Sequence, residues 1–403
     1  MGLLRPLADG SDLDATISVL QTRIEEDSDD GPAYASLGLA YLQKNRITAD
    51  PAYYSKAETA LRRSLELDGT ANFEASLGMG ILESSRHQFS SALEWGRRAE
   101  SANPFNVDAR GVIVDALVEL GRYDRAGREL QRMIDLKPNV ASYSRVSYFR
   151  ELHGDLPGAV RLMKFAQNAA GTSSADAAWT SYQLGELYLS SGETNRAEHE
   201  FERGAFFGPD AALPKVGLAK VAAARGRWGR ATRILDRVVD AYPSPEFVTL
   251  LGDLYAAQDK HSLATSQYEL VSAMDELYER NGASTDLEMA LFKADHHIDL
   301  KSAVQEAAVE YERRPSIHAA DAYAWTLYAT GSYERARALS QESLRLGTRS
   351  ALFRFHAGMI AWANGDETGA RLHLRAALEI DPNFSVLHAP TAEKTLRELE
   401  SPS

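Results

Sequence analysis

The sequence predicts an all-α chain: about ten helical hairpins stacked into one continuous solenoid, with a single helix at each end. Three observations carry that prediction. First, a Gly followed five residues later by an Ala, and four after that by a large apolar residue, recurs at Gly121–Ala126–Leu130, Gly192–Ala197–Phe201, Gly226–Ala231–Leu235 and Gly365–Ala370–Leu374, and Gly331–Ala336 repeats its first part. Second, the Ala of each motif lies 12 residues before a residue able to end a helix: Ala92 before Pro104, Ala126 before Pro138, Ala159 before Gly171, Ala197 before Pro209, Ala231 before Pro243, Ala303 before Pro315 and Ala370 before Pro382. Third, Pro104 and Pro138 are 34 residues apart, as are Pro209 and Pro243. Fixed spacing on that scale is the mark of a repeat architecture.

Each position has a physical reason. The turn Gly takes the positive φ that ends the first helix. The Ala falls where the two helices of a hairpin touch, and a larger side chain there would hold them apart. Large residues four and seven positions later, such as Leu130 and Met133, continue a buried stripe at helical spacing. The closing Pro cannot continue the second helix. On the first helix a small residue (Gly38, Gly78, Gly185, Gly252, Ala324, Gly358) again permits close approach. A hairpin of this size cannot bury its own apolar face, so neighbours must stack.

These residues resemble the tetratricopeptide repeat pattern. Trp179–Pro209, WTSYQLGELYLSSGETNRAEHEFERGAFFGP, matches it at Leu184, Gly185, Tyr188, Gly192, Ala197, Phe201 and Pro209, and departs from it at Thr194, where the pattern has an aromatic. The resemblance implies an N-terminal capping half-repeat over 1–31, about ten tandem repeats over 32–385, and a C-terminal capping helix and tail over 386–403. Two departures are local. The step from Gly38 to Ala57 is seven residues longer than the usual 12, and the Ser262–Arg280 helix has no closing Pro. RITADPAYYSKAE and ALFRFHAGMI…DPNFSVLHAP also resemble a group of repeat proteins from high-GC bacteria, many of them exported. The excess of Arg over Lys, 34 to 10, agrees with a GC-rich genome.

Composition excludes several functions. The chain has 403 residues, no Cys and a formal net charge of −13. Disulfides, thiolate metal sites and Cys nucleophiles are absent. The acidic balance opposes nucleic-acid binding, whose phosphates would be repelled. No apolar run is long enough to span a membrane. The start, MGLLRPLADGSD, is too weakly apolar for a secretory signal, so the expectation is cytoplasmic as the sequence stands, and exported if a leader was removed. There is no G-x-S-x-G elbow, Walker A loop or H-E-x-x-H motif, and the Gly226–Gly229 stretch reads as a repeat turn. No catalysis and no cofactor are expected.

The resemblance implies a right-handed superhelix whose first helices line a concave face. Counting from the small residue of each repeat places eleven carboxylates there: Glu83, Asp108, Asp115, Glu119, Glu151, Glu186, Glu246, Asp253, Glu288, Asp295 and Asp321. Asn72 and a single basic residue, Lys220, accompany them. The aromatic and apolar members are Tyr148, Trp179, Tyr182, Phe292, Trp325, Tyr328, Phe355, Met359 and Trp362. One reading is an acidic groove with aromatic anchors for a peptide rich in Lys and Arg, since a cleft of one sign focuses field and raises encounter rates. The other is that the acids solvate a helix face and the rings pack between repeats. Trp325, Tyr328, Phe355, Met359 and Trp362 together make the strongest apolar candidate.

The insertion Gln43–Glu58 is a second candidate, read either as a binding loop presenting Tyr53 and Tyr54 or as a lengthened helix with both rings tucked against the next repeat. A metal site at Asp295–His297 is not expected. Neighbouring helical residues point about 100° apart, and Phe292, Lys293, Leu300 and Lys301 offer no ligand one turn away. The remaining histidines, including His318, His356 and His388, read as scattered surface residues. The function expected is a non-catalytic scaffold that binds a protein or peptide. The rivals are a self-assembling structural protein forming homo-oligomers, and a sensory domain of a larger bacterial system.

Overall fold

The computed structural model describes residues 13–69, 72–171 and 174–401. Among them are 22 helices and no strand. Helix α1 (Leu13–Glu26) stands alone, and ten hairpins follow. They pair α2 (Gly31–Thr48) with α3 (Ala52–Asp68), α4 (Phe73–Ser85) with α5 (Phe89–Ala102), and α6 (Val107–Glu119) with α7 (Tyr123–Leu136). Next come α8 (Val140–Leu152) with α9 (Leu156–Ala170), α10 (Ser174–Leu189) with α11 (Thr194–Phe207), and α12 (Ala212–Ala224) with α13 (Trp228–Ala241). The last four are α14 (Pro245–Ala256) with α15 (His261–Arg280), α16 (Asp286–Asp295) with α17 (Leu300–Arg313), α18 (Ile317–Ala329) with α19 (Tyr333–Ser343), and α20 (Ala351–Ala363) with α21 (Glu367–Ile380). Helix α22 (His388–Glu400) closes the chain. The expectation for residues 1–12 lies outside the described residues.

Local chemistry sets these boundaries. Asn72, Asn106, Asn139, Ser244, Ser316 and Ser350 cap first helices, each side chain accepting from a backbone N–H of the opening turn. The small residues work as expected. A Cβ on Gly185 of α10 or Gly217 of α12 would run into the ring of Phe201, which is fully buried on α11 and wedged between them. Each hairpin packs on the next, so the chain is an all-α solenoid.

The solenoid is wound tightly enough that its second turn rests on its first. The turn between α6 and α7 meets the loop between α17 and α18: the Ile317 N–H donates to the Tyr123 hydroxyl at 2.9 Å. There Arg314 reaches Glu119 at 3.1 Å, pairs with Glu310 of its own helix, and lies over the Phe89 ring. A Cβ on Gly121 would overlap the Pro315 carbonyl oxygen, and one on Gly154 the Gly347 carbonyl oxygen. Ile317, Ala283 and Phe353 of the second turn join the same apolar core as Ile113, Leu117 and Leu120 of the first.

Both irregular repeats lie in this contact. The insertion extends α2 to Thr48 and leaves a connection of only three residues before α3. Helix α15 runs to 20 residues. The two meet where the Tyr278 hydroxyl donates to the Ala49 carbonyl at 3.1 Å and Ser55 Oγ donates to Asn281 Oδ1 at 3.2 Å.

Candidate functional site

From α6 to α12, the first-helix positions expected to face inward carry a run of polar groups. Asp115 on α6 receives both forks of Arg145 on α8, at 2.8 Å each. Tyr148 and Glu151 follow on α8. Glu186 on α10 accepts from Lys220 on α12 at 2.9 Å. Tyr148 is 37% exposed, yet burial and the charges of Glu119, Glu151 and Asp115 hold its hydroxyl well above its ordinary range. Solvent reaches the ring, while burial and the nearby carboxylates disfavour a phenolate. Among the described residues Glu151 has no basic partner. Burial, with the Glu186 charge beside it, pushes its carboxyl up to about 7. Burial opposes the Lys220 charge, but Glu186, Tyr182 and Glu246 overcome it and keep the ammonium protonated.

Several of the other acids expected on this face find partners within the fold. Glu119 is held by Arg314 of the second turn. Asp253 is 2.8 Å from His296 Nε2 and accepts from the Tyr268 hydroxyl at 3.0 Å. Asp321, 2% exposed, is 2.8 Å from His356 Nδ1. Asp295 accepts from Trp325 Nε1 at 2.7 Å and lies 3.0 Å from His388 Nε2. Burial alone would raise the Asp295 carboxyl, but His388, His356 and the indole N–H hold it below its ordinary range. Glu288 is exposed, with His87 3.8 Å away. The count of eleven acids against one base therefore does not describe the folded face. Arg145 and Arg314 were absent from it because a counted position names a helix face and not the reach of a long side chain from a neighbouring repeat.

The rings divide sharply. Tyr182, Phe292, Trp325, Phe355 and Met359 are all buried, from 1% to 6% exposed. Their burial corrects the reading of an open aromatic patch. Phe355 packs on Phe384 and His388, residues of the chain's own C-terminal segment, and α22 covers the cluster through Ala392, Leu396 and Leu399. Tyr328 stacks on Trp325 at 4.7 Å and is partly buried. Trp362 keeps 40% of its surface and Trp179 is half-buried. At the insertion, Tyr54 is 6% exposed and donates to the Ser85 carbonyl at 3.3 Å, and burial pushes its hydroxyl up to about 12. Tyr53 lies against Tyr41 with Lys56 over its ring. Helix α2 is lengthened and Tyr54 is tucked against the next repeat, whereas Tyr53 packs within its own.

The histidines also need correcting. His356 is 1% exposed, and the side chains of His296 and His388 retain 7% and 12%. None is a scattered surface residue, because each meets a carboxylate from another repeat. Trp179 opens onto a cavity of about 180 Å³ with Asp108, Lys137, Asn139 and Ser144, into which Arg46 reaches from the extended α2. Arg46 Nη1 has no hydrogen-bond partner there.

A stacked-hairpin solenoid with no helix, among the described residues, long and apolar enough to cross a membrane defines a class of repeat protein. The model of the tetratricopeptide repeat family matches residues 77–141, 182–244, 216–284 and 322–383, more than half of the chain, which therefore belongs to that family. No curated protein matches the chain in sequence. Among solved structures, the human IFIT1 dimer with PPP-AAAA is similar at 15% identity and a TM-score of 0.52, over 83% of this chain and 78% of that one. The APC/C hetero-tetramer Cut9-Hcn1 is similar at 15% identity and a TM-score of 0.49, over 96% and 76%. At such identities the likeness is one of fold. Repeats of this family are typically non-catalytic and serve protein–protein interaction.

Proposed function

We propose that this chain is a scaffold that receives a protein or peptide along the inner stripe from α6 to α12, with a basic side chain of the partner seated between Glu151 and Glu186. The observation that carries the reading is the unpaired Glu151 carboxyl beside the solvent-open Tyr148 ring. A Lys or Arg brought there would supply the missing counter-charge and lie against an aromatic face, a pairing favourable in a partly desolvated groove. Trp179 extends the same face toward the Arg46 cavity. The IFIT1 neighbour was solved with PPP-AAAA, but phosphates would meet repulsion at this stripe, so nucleic acid is not the partner proposed.

Fluorescence anisotropy with a labelled Lys/Arg-rich peptide tests this. Binding should weaken steeply between 50 mM and 500 mM salt. Glu151→Gln and Tyr148→Ala should each weaken it roughly tenfold, about 1.4 kcal/mol. Binding that ignores both salt and these substitutions would remove the stripe as the site. In the rival reading the chain builds homo-oligomers, and light scattering over a range of concentrations would then show mass growth without any peptide.

A further inference from the structure

Three potential metal ligands meet where α16, α20 and α22 converge. Asp295 ends α16, His356 lies in the middle of α20, and His388 opens α22. One donor atom from each lies within 4.8 Å of the others. The decisive group is His356. Its side chain is 1% exposed, its Nδ1 is engaged by Asp321 at 2.8 Å, and its Nε2 is buried with no hydrogen-bond partner. With Nδ1 turned to Asp321, Nε2 is the nitrogen left to face a ligand, and a buried ring nitrogen without a partner is an arrangement native proteins seldom leave unused. The walls hold the donors in place. Trp325 stacks on His356 at 4.2 Å and Phe355 on His388 at 4.8 Å. The Trp325 N–H and His388 both engage Asp295 Oδ1, and neither engages Oδ2.

We propose that His356 Nε2, His388 Nε2 and the Asp295 carboxylate bind one divalent transition-metal ion of the Zn²⁺ class, and that this ion fastens α22 onto the solenoid. Two imidazoles and one carboxylate are borderline donors that suit Zn²⁺ or Co²⁺ better than Mg²⁺ or Ca²⁺. Asp321 is a positioning residue: a carboxylate on the far nitrogen of a ligating imidazole fixes its tautomer and raises its basicity. Tetrahedral Zn²⁺ with bonds near 2.1 Å sets its donors roughly 3.4 Å apart, so closure asks for a side-chain movement of about an ångström. Three protein ligands leave a fourth position for water. Because His388 belongs to the segment that covers Trp325, Phe355 and Met359, the ion would hold that cover shut. The inference is independent of the peptide stripe, which lies on other repeats.

The test is titration of the metal-stripped full chain with Co²⁺. An intense visible d–d band should saturate at one equivalent, and the melting temperature should rise. His388→Gln and His356→Gln should lose the band. Asp321→Asn should keep it while weakening Co²⁺ binding roughly 10–100-fold. X-ray absorption at the cobalt edge should show two imidazole ligands, a readout that does not depend on how well any variant folds. Absence of a band at excess Co²⁺, a band unchanged in His388→Gln, or fewer than two imidazoles at the edge would overturn the proposal.

Discussion

Glu151 shows how burial and pairing decide a single residue's chemistry. Glu186, one repeat further along the chain, accepts from Lys220 at 2.9 Å. Glu151 has no basic partner among the described residues; burial, with the Glu186 charge beside it, moves its carboxyl from 4.5 up to about 7. Its folded value therefore lies above its unfolded one, so the native state binds the extra proton. The contribution to stability is complete below about pH 4.5 and is lost as pH rises through about 7. Glu151→Gln should accordingly stabilise the chain at pH 8, by about 1 kcal/mol once solvent screening is allowed for, and change little at pH 4.5. Urea midpoints of both proteins at the two pH values check this. Equal differences at both would mean that the carboxyl is not held protonated. No feature of the sequence distinguished Glu151 from the paired acids, because pairing depends on which repeat lends a base.

Among the elements, the turns between paired helices separate local geometry from long-range packing. Gly121 and Gly226 occupy equivalent turns, each with φ +68°. Nothing lies within 4 Å of a Cβ at Gly226, whereas one at Gly121 meets the second turn of the solenoid. Gly226→Ala should cost only the left-handed backbone, about 1 kcal/mol. Gly121→Ala should cost at least about 2 kcal/mol more, since the Pro315 carbonyl must move and the buried contact around Ile317 with it. Denaturant unfolding of the two variants gives the difference directly, and equal losses would mean that the two turns do not bear on each other at this point. The sequence justified both glycines by the same rule. The interrupted spacing at Gly38–Ala57 and the long α15 were legible as irregularities, but their shared purpose was not: they abut each other 229 residues apart, at the bond from Tyr278 to Ala49.

For the molecule as a whole, stacked turns change how the repeats depend on one another. An open solenoid is held by nearest-neighbour contacts and unfolds piecewise. Here Arg314 ties α17 to Glu119 of α6 and to the Phe89 ring at the start of α5, about two hundred residues earlier in the chain. Arg314→Ala leaves Glu310, 1% exposed, and Glu119 without that partner. It should destabilise by about 3 kcal/mol. Hydrogen exchange should then quicken in α4–α7 as well as in α17–α18. Quickening confined to α17–α18 would show that the two turns open independently.

The repeat period, the hairpins, their boundaries and the close-approach positions were determined by the sequence alone. They follow from helical periodicity, breaker residues and the size of one side chain, all of which act within some 34 residues. Which of the counted first-helix residues stay exposed was decided by the tertiary structure. Trp325, Phe355 and Met359 have the same inward spacing as Tyr148 and Trp179, but the C-terminal segment covers the first three. Asp295, His356 and His388, unremarkable as separate letters, meet only once α16, α20 and α22 converge. Superhelical pitch and the course of the last helix are sums over many small interfaces, and no local pattern encodes such a sum.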